Sequence, residues 1–212
     1  QSEGYNHRDN NHYYKIVSDA SIEGANGNEI VSPILKGKQG LNSLKMICDS
    51  LNAIGAKVNK STGLHIHFDA SKIGDAHFVQ IFKNYQKLEG VIDSFMPVSR
   101  RAQNNGYCRS ILGLNYDACT TKSDIIRVNG TRYRKVNAES YISHKTIEFR
   151  QHSGTTDYDK IANWINFLRK LIQYSFENEI QECILIEQVP FLTETEKQYF
   201  INRREALNLA FL

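Results

Sequence analysis

What the chain lacks narrows the field first. No apolar run approaches the roughly 20 residues that a membrane-crossing helix needs, and no secretory signal is expected from its opening residues. The four cysteines (Cys48, Cys108, Cys119 and Cys183) contain no CxxC pair, which removes zinc ribbons and thioredoxin-like centres. There is no P-loop, no GxGxxG and no HExxH, so Walker, Rossmann and zincin sites are not available. Neither sign of charge is in large excess, with 26 Lys and Arg against 23 Asp and Glu. A formal net charge of +3 gives no electrostatic reason to expect nucleic acid or an acidic membrane as partner. Internal repeats and low-complexity tracts are absent as well.

What is present is an ordinary globular composition, with 41% hydrophobic and 23% charged residues over 212 positions. Residues 1–12 are polar and Asn-rich and read as a loop. YYKIVS at 13–18 reads as a strand, and NEIVSPIL as a second that Pro33 ends or bulges. From Leu41 to Ile54 apolar residues recur at three and four, predicting a helix stopped by Gly55, with Cys48 as a buried reduced thiol on its stripe. GLHIHFD at 63–69 alternates at period two, with Leu64, Ile66 and Phe68 on one face and His65, His67 and Asp69 on the other. A long helix follows with Asp75 as N-cap and Phe78, Ile81, Phe82, Tyr85, Leu88, Ile92 and Phe95 on one stripe, and then an irregular stretch over 97–131 with a short helix near Ser123–Val128. TRYRKVN and TIEFRQHS read as strands; in the second, Glu148, Arg150 and His152 share the face opposite Ile147 and Phe149. Two helices close the chain, one carrying Ile161, Trp164, Leu168 and Leu171, the other over 193–209 behind a Thr193–Glu196 capping box. This order predicts a single α+β domain over 1–212, with a mostly antiparallel sheet, helices on its back and a polar face in front.

Three predicted strands place chemistry-bearing side chains on one face: Glu29, then His65, His67 and Asp69, then Glu148 and Arg150. Carboxylate and imidazole donors converging from neighbouring strands suit a divalent cation. An arginine two residues from a glutamate on one strand face can clamp a carboxylate or phosphate beside that cation. Each element also has a plainer reading. HxH and Glu-x-Arg can be solvated sheet faces with cross-strand pairs, Glu29 an exposed loop carboxylate, and Arg100 and Arg101 partners of a helix C-terminus.

In order, the chain carries DASI, GNEIVSP, STGLHIHFD, PVSRRAQNNGYC, RYRKVN and TIEFRQHSGT. This series, from about Tyr14 to about Phe167, resembles the amidoligase family of bacteria and their phages, which is related to glutamine synthetase and glutamate–cysteine ligase. The resemblance implies an ATP-dependent carboxylate–amine ligase on a curved, mostly antiparallel sheet with helices on the convex face, and the buried, reduced Cys48 points to the cytoplasm. It implies ATP and Mg²⁺ or Mn²⁺ at the concave face, with Glu29, His65 and Glu148 as metal ligands. Arg150 would hold the acid substrate's carboxylate, and Arg100 or Arg101 a phosphate. His67 and Asp69 would support the site, and Asp19 and Ser21 would line its rim. Partners would be small-molecule or peptide acids and amines, and an oligomer is compatible with it. Family members open on a Glu-x-Glu strand; none is expected before Tyr13 here, since the chain starts at Gln1, and a segment before it is expected. A metal-dependent amide hydrolase and a non-catalytic binding module that keeps the ligase fold stay open as alternatives.

Overall fold

The computed structural model describes residues 2–3, 13–23, 27–181, 183 and 185–209. Strands alternate with helices in an α+β arrangement: β1 (Ser2–Glu3), β2 (Lys15–Ser18), β3 (Asn28–Val31), α1 (Gly37–Ala53), β4 (Gly63–Asp69), α2 (Asp75–Ser94), α3 (Lys122–Asn129), β5 (Val136–Asn137), α4 (Ser140–His144), β6 (Thr146–Ser153), α5 (Tyr158–Tyr174) and α6 (Glu194–Leu209). Among the described residues, no helix is long and apolar enough to cross a membrane.

The chain packs as two compact units, each built from two stretches of sequence. The first is Gln1–Gly63 with Gly154–Ala162; the second is Leu64–Ser153 with Asn163–Leu212. The first unit holds the sheet β1–β2–β3, in which β2 and β3 are antiparallel with Val17 opposite Glu29. Within the predicted 1–12 loop, Ser2 and Glu3 instead form a short strand, paired in parallel with Ile16 and Val17. The rest of the predicted 1–12 loop lies outside the described residues. Helix α1 ends as its sequence dictates, with Gly55 taking the left-handed conformation at φ 71° that a side chain would resist. Of its predicted stripe only Cys48 is buried, while Ile54 remains 79% exposed. All four cysteines are free and buried. The glycine that follows β6 also has a physical reason: the Gly154 N–H donates to the Thr62 carbonyl at 3.0 Å, and a Cβ at Gly154 would come within 2.7 Å of Thr62 Cβ.

The second unit holds the large core. Phe78, Ile81, Phe82, Tyr85, Leu88, Ile92 and Phe95 follow the predicted helical stripe of α2 and are buried. They meet Ile147 and Phe149 of β6, with Tyr85 and Phe149 rings 5.5 Å apart, and a layer from α5 and α6 in which Phe95 packs on Phe200 at 4.6 Å. Each such ring contributes about 1.5–3 kcal/mol on burial. Asp75 is not the N-cap of α2. Gly74 holds that place, and Asp75, one residue further on, accepts the Lys122 N–H at 3.2 Å, joining the first turns of α2 and α3. Thr121 and Asp124 form a reciprocal capping box, and Gly130 closes α3 in the left-handed conformation.

Strand β6 lies between β4 and β5. Only Val136–Asn137 of the predicted TRYRKVN strand forms a ladder, antiparallel to β6. Just before it the backbone is shared: the Lys135 carbonyl accepts from Arg150 N–H at 2.8 Å, while the Lys135 N–H turns the other way to Arg109 at 2.9 Å. Helix α4 has no counterpart in the sequence reading, because five residues are too few to show a period.

Beneath β6 sits a buried polar chain. Lys135 Nζ lies 2.7 Å from Glu89 Oε1 and 2.6 Å from Asp93 Oδ1 with no solvent exposure of its side chain. Gln151 Nε2 donates to the same Asp93 oxygen at 2.5 Å, and Tyr85 OH donates to Gln151 Oε1 at 2.6 Å. Removing one member strands the others in low dielectric. Lys135→Ala is therefore expected to lose about 3–5 kcal/mol in denaturant unfolding; a loss below about 1 kcal/mol would show the network to be dispensable.

The predicted Thr193–Glu196 capping box is present, with Glu196 Oε2 accepting Thr193 N–H at 2.7 Å. Burial works to raise the Glu196 pKa, but Lys170 at 2.6 Å, the Thr193 N–H and Asn166 outweigh it and bring it from 4.5 down to about 2. A lowered folded pKa stabilises above the ordinary value and loses that stabilisation on acidification. Glu196→Gln should therefore be less stable than the parent at neutral pH, with the gap closing as pH falls from about 4.5 toward 2. Paired thermal melts across that window check the sign, and a gap that widens in acid would refute it.

Candidate active site

Glu148 is the point on which the second unit's polar side chains converge. Period-two alternation in β6 sends Ile147, Phe149 and Gln151 inward and Glu148 and Arg150 to the other face. Glu148 Oε1 is 2.6 Å from Arg150 Nη1, 3.3 Å from His65 Nδ1 and 3.7 Å from His67 Nε2. Its Oε2 accepts Asn137 Nδ2 at 2.6 Å. The antiparallel register sets that last contact, because Asn137 stands directly opposite Glu148. The predicted pairing of HxH with the Glu-x-Arg strand is therefore realised within one unit, from adjacent strands.

The two histidines have different surroundings. His65 is held neutral, with its pKa lowered to about 4, first by burial and then by Arg150, while Glu148 works in the opposite direction. His67 is more open; its Nδ1 lies 2.9 Å from Thr146 Oγ1 and 3.2 Å from Ser140 Oγ, and those hydroxyls are 2.7 Å apart. For Glu148, burial pushes the pKa up, but Arg150, then His65, His67 and Asn137, hold it below the usual carboxylate range. The site thus pairs an ionised carboxylate with a neutral imidazole, the protonation states in which both bind a divalent cation. Among the described residues no group of three or more His, Cys, Asp or Glu side chains forms a closed cage. A carboxylate and an imidazole placed this way could supply two ligands to a divalent cation.

The other predicted residues separate. Arg100 ends a short 3-10 turn (Val98–Arg100) and is buried; its charge helps to lower the His65 pKa, and its own pKa is lowered first by burial and then by the charge of Arg150. Arg101 instead spends its Nε on the Met96 carbonyl at 2.6 Å. Asp69 closes the end of β4 by accepting Ser71 N–H at 2.9 Å. Glu29 is half-buried in β3 of the first unit, and Asp19 there accepts the N–H and hydroxyl of Ser21 at 2.8 and 2.7 Å in a tight turn after β2. His152, predicted to share the open face with Glu148, is buried with its ring 5.8 Å from Trp164.

Sequence reasoning did not single out Asn137, Tyr107 or Cys108. Asn137 was within reach, since pairing RKVN against IEFR in antiparallel register sets an amide beside Glu148. Cys108 is buried, with its thiol 3.5 Å from the Arg150 carbonyl. Burial pushes its pKa up although Arg100, Lys135 and Arg150 pull it down, which keeps it a thiol.

Neither a curated protein nor a solved structure matches the chain. A family profile does, over residues 2–172, which span β1 to α5 and every residue gathered at Glu148. The chain belongs to the family described as putative amidoligase enzyme, a family of ligase type.

Proposed function

We propose that the chain is an ATP-dependent carboxylate–amine ligase that forms an amide through an acyl phosphate. The observation that carries this is the convergence on Glu148 of a guanidinium and two imidazoles, one of them held neutral, in a member of this family. The reaction moves the ATP γ-phosphoryl group to an oxygen of the acid and releases ADP. The amine nitrogen then attacks the acyl carbon, and the C–O bond to phosphate breaks. Little covalent work falls to the protein, so positioning and charge stabilisation have to supply most of the acceleration.

The residues divide that task. Arg150 is pinned on one side by Glu148 and presents the rest of its planar fork to the carboxylate of the acid. Arg100, buried beside it, supplies positive potential where phosphoryl oxygens gather charge. Glu148 and His65 would hold Mg²⁺ or Mn²⁺, which when bound neutralises negative charge on the phosphates. Asn137 keeps the second Glu148 oxygen fixed, and the Ser140–Thr146 hydroxyl pair fixes the His67 ring.

Hydroxylamine intercepts acyl phosphates, so ATP-dependent hydroxamate formation from a pool of carboxylic acids reads the reaction without knowledge of the natural amine. Glu148→Ala and His65→Ala should each cut that rate roughly 100-fold or more while the circular dichroism stays that of the parent. The absence of both nucleotide binding and hydroxamate from the parent protein would sink the ligase reading. Arg150→Lys should raise the KM of the acid about tenfold and leave that of ATP close to the parent value, because a point charge replaces a planar fork; equal effects on both substrates would move Arg150 to the nucleotide.

A further inference from the structure

An aromatic corner stands beside Arg150. Two edges of its guanidinium are taken: Nη1 donates to Glu148 Oε1 at 2.6 Å, and Nε reaches the Tyr107 carbonyl at 3.4 Å. Among the described residues Nη2 has no partner, although the side chain is only 12% exposed. The guanidinium carbon lies 6.0 Å from the centre of the Tyr133 ring. Arg132 covers that ring from 5.0 Å and donates to its hydroxyl at 2.9 Å, so Tyr133 already has its cations.

Tyr107 differs. Its ring meets Tyr133 edge-on at 5.5 Å and 80°, yet the residue stays 55% exposed. Its place is nonetheless fixed from both sides of the peptide: its N–H donates to Asn105 Oδ1 at 2.8 Å, and its carbonyl faces Arg150 Nε. A half-exposed aromatic ring, held by the same arginine that has a donor edge to spare, is a wall with one side ready for contact.

Granting the reading that Arg150 takes the acid's carboxylate, we infer that Tyr107 is the specificity-determining wall of the acid subsite, and that the acid substrate carries a flat aromatic or heteroaromatic group next to its carboxylate. A carboxylate gripped in the plane of the guanidinium fork points its substituent away from Cζ. A flat, conjugated substituent stays in that plane and meets the Tyr107 ring in the offset or edge-on contacts that aromatic pairs prefer. A puckered aliphatic group of similar size gains only area.

Binding of benzoate, cyclohexanecarboxylate, acetate and adenosine to the full chain, followed by ligand-observed NMR without ATP, tests this. Benzoate should bind roughly 2- to 10-fold tighter than cyclohexanecarboxylate, the range that an aromatic pair supplies. Tyr107→Leu should abolish that preference while leaving acetate binding unchanged, Tyr107→Phe should keep it, and Arg150→Lys should weaken all three acids together. Equal affinity for the two ring acids, no benzoate binding, or a Tyr107→Leu effect confined to adenosine would each overturn the assignment. The ligase reading fails separately. Hydroxamate formation with no aromatic preference leaves the ligase and removes the wall, whereas a Tyr107-dependent benzoate site in a chain without ATP turnover does the reverse.

Discussion

Strand β6 has to satisfy two opposed environments eight residues at a time. On one side Ile147, Phe149 and Gln151 face the apolar bulk of α2; on the other Glu148 and Arg150 must keep their charge. Period-two geometry makes this possible, and it leaves no tolerance for slippage, since a shift of one residue would drive Glu148 and Arg150 into the core. Register is therefore the constraint on which the candidate site depends. Four features hold it: the antiparallel pairing of Asn137 with Glu148, the Lys135 carbonyl on Arg150 N–H, the Tyr85–Phe149 ring contact, and the amide of Gln151 in the buried polar chain.

Lys135 ties these together at some cost. A fully buried ammonium is expensive, and replacing such groups by apolar ones is often neutral or stabilising when the whole network goes. Specificity is what it offers in return. An apolar side chain at 135 could settle against α2 in several ways, whereas an ammonium between Glu89 and Asp93 has one. Because Lys135 also bonds Arg109 and Arg150 through its backbone, the single solution beneath the sheet fixes the segment that presents Tyr107 and Cys108 above it.

Much of this was legible in the sequence wherever periodicity was long. The α2 stripe, the β6 alternation, the Thr193–Glu196 box and the grouping of HxH with Glu-x-Arg needed only spacing and residue type. Features set by tertiary partners were not legible. Asp75 has the right chemistry for a cap, but Gly74 takes the position and frees Asp75 to tie down α3. TRYRKVN has strand composition, yet most of it is diverted to Arg109. His152 follows the alternation of Glu148 and Arg150, but the strand end passes under Trp164, and the same period delivers it to a buried ring. Arg100 and Arg101 are indistinguishable as letters; only the backbone turn decides that one approaches His65 and the other bonds Met96.

The two imidazoles of GLHIHFD show how far spacing can go and where it stops. Alternation places both on one face, and an exposed, idle pair would satisfy that pattern equally well. What separates them is the neighbouring strand. His65 falls against Glu148, where burial first, and then the fields of Arg150 and Arg100, lower its pKa and leave a neutral nitrogen base. His67, one pleat further on, meets Thr146 and Ser140, two neutral hydroxyls that orient its ring, with Glu148 Oε1 further off at 3.7 Å. A sheet face of this kind therefore holds two chemically different histidines two residues apart, and much of the difference comes from residues 140–150. Any function assigned to the HxH strand has to be argued from β6, because that strand sets what each imidazole can be.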